Sequence, residues 1–218
     1  MQQYRSISDK RTTQRYVFWL LLAGFAVIAA FVALQPDNRL DQSVASYIQG
    51  FEADKITSIM MFFTTVGSTK FTILITLGVL AILYAKFRKA NELLFICAVL
   101  GGSALLNTVL KLIFHRARPE VHRLIEETGF SFPSGHTMAA LALYGAVAFL
   151  LWRHASTVAL RALIIGITAL FVFMIAVSRI YLGVHFPSDI AGGILASGMW
   201  LSLVIWVYQW WQENGKTR

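Results

Sequence analysis

Long apolar runs separated by short polar breaks are the feature that most constrains this chain. A helix that crosses the hydrocarbon of a bilayer needs roughly 20 mostly apolar residues. Six runs of about that length occur, near residues 16–35, 70–86, 93–114, 134–152, 159–178 and 189–211. Hydrophobic residues make up 57% of the chain, which leaves little polar surface for a water-soluble domain. We therefore predict an all-α polytopic membrane protein, with residues 1–218 as a single domain built as a six-helix transmembrane bundle.

The segment between the first two runs, residues 35–69, is only moderately apolar and contains turn-forming proline and glycine residues. We predict short interfacial helices there. Arg15 precedes the first run and no small-residue cleavage site follows it, so we expect a retained helix rather than a removed signal peptide. Cys97, the only cysteine, lies inside the third run, where we expect it to be a packing residue.

The basic residues of the chain predict its orientation and its partners. Its net charge is +8, but the basic residues are scattered among apolar runs and form no soluble nucleic-acid-binding module. We therefore predict the lipid bilayer and an anionic lipid as partners, and no nucleic acid. Cytoplasmic loops carry an excess of Lys and Arg, and with six spans eleven of these residues fall on the side of the termini: Arg5, Lys10, Arg11, Arg15, Lys86, Arg88, Lys89, Arg153, Arg161, Lys216 and Arg218. This predicts a multi-pass protein of the cell (plasma or inner) membrane with both termini in the cytoplasm.

Six spans also place four helix ends on the non-cytoplasmic face: the end of the third helix, the start of the fourth, the end of the fifth and the start of the sixth. The unusual polar residues cluster at these ends: Lys111 and Arg118-Pro119, Pro133-Ser134-Gly135-His136, Ser178-Arg179, and His185 with Asp189. Residues that are distant in sequence are therefore predicted to converge at one site.

The residue types at this predicted site suit a phosphate group. Two arginines and a lysine supply positive charge, and guanidinium groups match phosphate oxygens in bidentate fashion. Ser134 can cap the fourth helix. The backbone N–H groups at Gly135 and His136 then point outward at the positive end of the helix dipole, where an anion is stabilised.

The histidines of this site can provide the chemistry. His185 lies four residues before Asp189, whose carboxylate can accept a hydrogen bond from one imidazole nitrogen and leave the other free to attack. His136 can supply a proton to a leaving oxygen. Residue types alone leave an exchange of the two roles open. Each residue also has a structural explanation, because cations at helix ends snorkel and acidic residues favour helix starts; only their joint occurrence favours a site.

The order and spacing of these segments resemble the signature of the type 2 phosphatidic acid phosphatase superfamily. The first segment is Lys111, six residues, then Arg118-Pro119, and the second is Pro133-Ser134-Gly135-His136. The third is Ser178-Arg179, five residues, His185, three residues, Asp189. The motifs lie within residues 111–189, and the six-helix pattern extends the resemblance over most of the chain.

The resemblance implies a two-step phosphoryl transfer that needs no metal ion and no cofactor. His185 would form a phosphohistidine, Asp189 would orient it, and His136 would protonate the leaving group. His136 would then help to activate the water that hydrolyses the intermediate. The remaining residues implied by the resemblance would hold the phosphate oxygens: Lys111, Arg118, Ser134, Gly135 and Arg179.

The expected activity is a phosphatase acting on a membrane lipid phosphate or pyrophosphate, similar to bacterial members of the family. Undecaprenyl pyrophosphate, phosphatidylglycerol phosphate and phosphatidic acid all fit such a site. Two alternatives stay open at this point. The site could pass the phosphoryl group to another lipid as a phosphotransferase, or a carrier or flippase could bind the headgroup without cleaving it. The sequence does not indicate an oligomeric state.

Several other residues are expected to be structural. His115, His122 and His154 lack a second ligand at metal-binding spacing. Adjacent Glu126 and Glu127 are expected to form a solvated loop face. In the loop 120–132, Phe130 and Phe132 could contact lipid or only pack, and the sequence does not decide between these two roles. The small residues that are expected to let helices approach closely are Gly101, Gly102, Ser103, Gly192, Gly193 and Ala196.

Overall fold

The apolar runs are all helical, because backbone N–H and C=O groups in hydrocarbon must be satisfied within the segment. The computed structural model describes residues 2–87, 90–120 and 122–214. No strand occurs in these ranges. The helices in chain order are α1 (Gln2–Leu34), α2 (Arg39–Gln49), α3 (Asp54–Val66), α4 (Thr69–Phe87), α5 (Ala90–Phe114), α6 (Gly135–His154), α7 (Val158–Tyr181) and α8 (Pro187–Asn214). The predicted all-α class is confirmed.

Five of these helices are long and apolar enough to cross a membrane by themselves: Thr12–Leu34 within α1, then α5, α6, α7 and α8. The predicted span near residues 70–86 corresponds to α4. Helix α4 is long and apolar enough to cross a membrane only when it is taken together with α3, and the two helices are bent by 55° at their junction. The described residues therefore provide five single spans and a sixth only if the bent pair is one span.

The segment expected to hold interfacial helices contains α2 and α3. Asn38 caps α2, since its side-chain oxygen accepts a hydrogen bond from the Asp41 N–H at 2.7 Å. Helix α3 also packs along α7 of the bundle. Phe63 of α3 packs against the buried cluster of Ala140, Val172 and Ile175, and its ring lies 5.9 Å from the Phe171 ring of α7.

The core of the bundle lies around α6, which packs against α5, α7 and α8. Buried side chains of α5, α6 and α8 form one cluster: Phe95, Ile96, Val99, Ala142, Ala146, Leu150 and Tyr208. Cys97, on the same helix as Phe95 and Ile96, is exposed on the outer surface of α5. The expectation that Cys97 is a packing residue is therefore wrong.

Small residues allow α8 to approach its neighbours, as the sequence indicated, but Gly101 is exposed and a Cβ there would meet nothing within 4 Å. A Cβ at Gly102 would lie 2.0 Å from the Trp200 ring, and a Cβ at Gly192 would lie 2.4 Å from the Phe132 ring. A Cβ at Gly193 would lie 3.1 Å from the Ser134 carbonyl oxygen. The close contact at Gly193 seats the start of α8 against the start of α6, which carry two of the signature segments.

Candidate active site

The ends of α5, α6, α7 and α8 meet on one side of the bundle, and the signature residues gather there. A cavity of about 480 Å³ at this side is lined by five of the eight predicted site residues: Lys111, Arg118, Gly135, His136 and His185. The other three lie behind its wall, since Ser134, Arg179 and Asp189 are each at most 1% exposed. The structure therefore brings all eight residues together, in two layers.

His185 lies in the short connection between α7 and α8. The chain can reverse there because Gly183 adopts a positive φ of 76°, and a Cβ at this position would lie 2.2 Å from the His122 carbonyl oxygen. Pro187 then begins α8. The tight turn and the immediate helix start leave His185 buried, with 1% of its surface exposed.

The hydrogen bonds of His185 define which nitrogen carries the proton. Its Nε2 lies 3.1 Å from Arg118 Nη1, and a guanidinium nitrogen can only donate, so Nε2 is the acceptor. Its Nδ1 lies 3.3 Å from Asp189 Oδ2 and 3.2 Å from Ser131 Oγ. The neutral ring therefore carries its proton on Nδ1 and presents the Nε2 lone pair towards Arg118.

Asp189 combines a structural and an orienting contact. Its Oδ2 accepts the Phe186 backbone N–H at 2.8 Å, which caps the start of α8, and also faces His185 Nδ1. Ser131 Oγ donates to the same oxygen. Both explanations that the sequence allowed for this pair, a helix-start carboxylate and an orienting carboxylate, thus hold in one geometry.

The protonation of His185 is set mainly by burial. Burial lowers the pKa of His185 to about 4, although the hydrogen bond and charge of Asp189 act in the opposite direction. The imidazole is consequently neutral at physiological pH. A neutral imidazole with its proton on the Asp189 side has the form that a nitrogen nucleophile requires.

Arg118 is held rigidly beside His185 by three backbone carbonyl oxygens. Its guanidinium donates to Val184 O at 2.9 Å, Gly129 O at 3.0 Å and Thr128 O at 3.1 Å. Two of these oxygens belong to the loop between α5 and α6. This loop therefore positions a cation, rather than only connecting two helices.

Arg179, at the end of α7, is also held from two directions. Its Nη1 donates to Thr64 Oγ1 of α3, and its Nη2 forms an ion pair with Glu127. The expectation that Glu126 and Glu127 both form a solvated face is therefore wrong for Glu127, which lines the cavity, although Glu126 is exposed. Burial tends to raise the pKa of the Glu127 carboxyl, but Arg179 outweighs this and holds that pKa below its ordinary value.

The start of α6 is built as the sequence indicated. Ser134 caps the helix through its side chain, which accepts from the Thr137 N–H at 3.5 Å. Gly135 and the half-buried His136 line the cavity in the first turn. Phe132 is fully buried and its ring contacts Phe25 and Phe114, so it packs rather than contacting lipid.

Sequence reasoning missed three buried residues, Arg116, Ser131 and Asp41, which contact His185 or Asp189 directly or through a neighbour. Arg116 donates to Asp189 Oδ1 at 2.7 Å and to Asp41 Oδ2 of α2 at 2.8 Å. Ser131 is fully buried between Asp189 and His185. Arg116 is not one of the residues that the signature identifies. Its position two residues before Arg118 was the one available signal.

The remaining histidines lie outside this constellation or at its edge. His122 pairs with Glu52, and the His115 ring lies 4.4 Å from the Phe130 ring. Within residues 2–87, 90–120 and 122–214, no three His, Cys, Asp or Glu side chains are grouped so that they could hold a metal ion.

Comparison with known proteins places this chain in a family. The model of the PAP2 superfamily matches residues 92–214. Phosphatidylglycerophosphatase B of Bacillus subtilis strain 168 is 30% identical over 79% of this chain and 85% of its own length. Undecaprenyl-diphosphatase of Sulfolobus acidocaldarius is 27% identical over 88% of this chain and 90% of its own length.

A solved structure is also similar over most of the fold. The crystal structure of a transmembrane PAP2 type phosphatidylglycerolphosphate phosphatase from Bacillus subtilis covers 91% of this chain and 97% of its own length, at a TM-score of 0.82 and 26% identity. The predicted resemblance is thus confirmed, and with it the prediction that the chain is a phosphatase. This chain belongs to the PAP2 superfamily, as a multi-pass membrane phosphatase.

Proposed function

We propose that this chain hydrolyses the terminal phosphate of a membrane lipid phosphate or diphosphate through a phosphohistidine on His185, without a metal ion. One observation carries the proposal. The buried His185 imidazole, held by Asp189, borders a cavity that also contains the cations Lys111 and Arg118 and a second histidine, His136. Nucleophile, phosphate-binding cations and proton donor thus face one space.

In the first step, the Nε2 lone pair of His185 attacks phosphorus and the bond from phosphorus to the leaving oxygen breaks. His136, in its protonated imidazolium form, donates a proton to that oxygen and becomes neutral, while Asp189 stabilises the positive charge on the His185 ring. In the second step, His136 takes a proton from water, the water oxygen attacks phosphorus, and the bond between phosphorus and Nε2 breaks. Inorganic phosphate leaves and both histidines return to their starting forms.

The cations contribute by holding the phosphate oxygens. A phosphate oxygen that accepts from Arg118 Nη1 would replace His185 Nε2 as the acceptor and so free the attacking lone pair. Arg179 offers another donor, because its buried Nε has no hydrogen-bond partner among the described residues. Lys111 and the N–H groups at the start of α6 complete a positive environment for the charge that develops in transfer. Ser134 supports this arrangement as the helix cap.

The shape of the cavity supports a lipid substrate. From the cations it continues between α4 and α5, along Ile73, Leu77, Leu100 and Ala104. Two hydroxyls in this wall are bonded within their own helices, Thr76 to the Thr72 carbonyl at 2.6 Å and Thr108 to the Ala104 carbonyl at 3.0 Å. The apolar side chains of this wall can therefore accept an apolar chain, although the wall also carries Ser103, whose buried Oγ has no hydrogen-bond partner among the described residues. With the names of the relatives, this favours phosphatidylglycerol phosphate, undecaprenyl diphosphate or phosphatidic acid.

Phosphate release by the purified protein in detergent, with excess chelator, tests the activity. We expect release to continue with chelator and to be lost in His185→Ala, with an acid-labile phosphoenzyme present only in the wild type. His122→Gln serves as the matched control, because this exposed histidine pairs with Glu52 away from the catalytic pair. Activity abolished by the chelator, or unimpaired turnover in His185→Ala, would contradict the proposal.

A substrate panel separates the remaining alternatives. Diphosphate and monophosphate lipids are compared at equal surface concentration, with labelled acceptor lipids present. Transfer of the label to a lipid hydroxyl instead of water would indicate a phosphotransferase. Headgroup movement across liposomes that persists in His185→Ala would indicate a carrier.

We also propose that the protein lies in the cell membrane with its termini in the cytoplasm and the site on the opposite face. The support is the excess of Lys and Arg on the side of the termini. Glu126 is exposed in the loop next to the site. In a Cys97→Ser background, Glu126→Cys should react with an impermeant thiol reagent added to intact cells. Reaction only after permeabilisation would reverse the orientation.

A further inference from the structure

One cation and two carboxylates form a buried network behind the catalytic pair. Arg116 donates through Nη1 to Asp189 Oδ1 at 2.7 Å and to Ser188 Oγ at 2.6 Å. Through Nη2 it donates to Asp41 Oδ2 at 2.8 Å and to the Pro36 carbonyl at 2.7 Å. The side chains are at most 5% exposed. The network therefore joins α2, the loop after α5 and α8.

Such a network is costly to bury, so its arrangement calls for an explanation. Removing charged groups from water costs several kcal/mol per ion, and an apolar cluster of similar volume holds helices together at least as well. Asp41 is also satisfied by the Ser188 N–H at 2.8 Å and by Asn38 Nδ2 at 2.8 Å. This degree of pairing fixes the orientation of the guanidinium, which a simple helix contact does not require.

We propose that Arg116 is a positioning residue for His185. It holds the Asp189 carboxylate so that one of its oxygens faces the imidazole. Because Arg116 shares its positive charge with Asp41, the Asp189 carboxylate can still stabilise the cationic ring. This inference rests on the proposed phosphohistidine chemistry. Arg116 occupies Oδ1 of Asp189, so Oδ2 stays directed at His185 Nδ1.

The charges explain why a second carboxylate is present. One cation between two carboxylates leaves one net negative charge while His185 is neutral. When His185 attacks, its ring becomes cationic and the buried cluster becomes neutral overall. If Arg116 were paired with Asp189 alone, the same step would create an uncompensated buried cation, which is unfavourable in a low-dielectric environment. Arg118, the other charge next to the ring, lies on the Nε2 side and faces the phosphate.

The test uses variants of the full-length protein in detergent, each with its melting temperature measured. Arg116 does not line the cavity, so Arg116→Gln should lower kcat and the rate of phosphohistidine formation about 10- to 100-fold, as loss of such outer partners does elsewhere, with KM nearly unchanged. Arg116→Lys should keep part of the rate. Arg153→Gln is the control, because this arginine donates to Tyr208 and lies at the far end of α6.

The double variant Arg116→Gln with Asp41→Asn decides between positioning and a structural clamp. In Arg116→Gln two buried carboxylates are left without their cation, and their mutual repulsion favours protonation of one of them. Asp41→Asn removes that repulsion and lets Asp189 keep its charge beside His185, so the double variant should react faster than Arg116→Gln alone. A structural clamp predicts instead that the double variant is at least as impaired, with losses that follow the melting temperature. That outcome, or a wild-type rate of phosphohistidine formation in folded Arg116→Gln, would overturn the inference. Hydrolysis by the wild type without any phosphohistidine would overturn the proposed function itself.

Discussion

The ion pair between Glu127 and Arg179 leads to a quantitative prediction for Glu127→Gln. In the free protein the Glu127 carboxylate occupies one side of a guanidinium that the signature assigns to phosphate binding. If Arg179 binds the substrate phosphate as proposed, that phosphate shares the guanidinium with an anion. Glutamine keeps the size of the side chain and a carbonyl oxygen for Arg179, but it removes the negative charge.

The magnitude follows from the geometry. Two anions that share one guanidinium lie roughly 6 Å apart, where their repulsion is about 3 kcal/mol at an effective dielectric constant of ~20. The Glu127 side chain keeps 30% of its surface exposed. Solvent screening should reduce the repulsion to about 1–2 kcal/mol, which corresponds to roughly a 5- to 30-fold change in an equilibrium constant.

The assay is inhibition of lipid hydrolysis by inorganic phosphate, the product. Glu127→Gln should bind phosphate about 5- to 30-fold more tightly and lower KM in the same direction, with kcat reduced if product release becomes rate-limiting. The control is Glu126→Gln, which removes the same charge from the neighbouring exposed position. An inhibition constant that is unchanged or weaker in Glu127→Gln would refute the reasoning.

Three further predictions concern the nucleophile, the packing and the cavity. Because the pKa of His185 is lowered to about 4, its neutral, nucleophilic form persists as the pH falls. After correction for ionisation of the substrate, kcat/KM should therefore decrease only as the pH falls through about 4. A decrease centred near the ordinary pKa of histidine would contradict this. Gly192→Ala should lower the free energy of unfolding in detergent by about 1–2 kcal/mol, because the added Cβ meets the buried Phe132 ring. Gly198→Ala is the control, since a Cβ there makes only ordinary contacts. Equal melting temperatures of the two variants would contradict the prediction. Thr76 lines the cavity, so Thr76→Phe should obstruct a lipid chain and raise KM roughly tenfold for long-chain lipids but little for a short-chain analogue. Phosphate release measures both values. An equal effect on both substrates would argue against a lipid chain in this cavity.

Much of the fold was determined by the sequence alone, since its physical cause is local. Each apolar run must be helical in hydrocarbon, and the number of runs determines which helix ends share a face. Helix caps such as Ser134 and Asn38 accept a hydrogen bond from a backbone N–H three residues later in the chain, so the sequence alone can indicate them. The 55° bend between α3 and α4 was not predicted from the sequence, and neither was the packing of α3 along α7, a helix distant in the chain.

The signature residues were predictable for a related reason, because their residue types and their positions at helix ends are properties of short segments. Lys111, Arg118, His136 and His185 indeed border one cavity. Their partners could not be read in the same manner. A carboxylate in a polar loop has the same sequence pattern whether it faces water, as Glu126 does, or a buried guanidinium, as Glu127 does.

Only the tertiary structure decided which groups support the histidine. Asp41 contacts Ser188 across 147 positions of the chain, and Arg116 reaches both carboxylates from a third segment. No local propensity encodes such contacts, since they form only where separate elements are packed together and water is excluded. The sequence determined the helices and the residue types that gather at one side of the bundle, whereas packing determined the pairing of the buried charges.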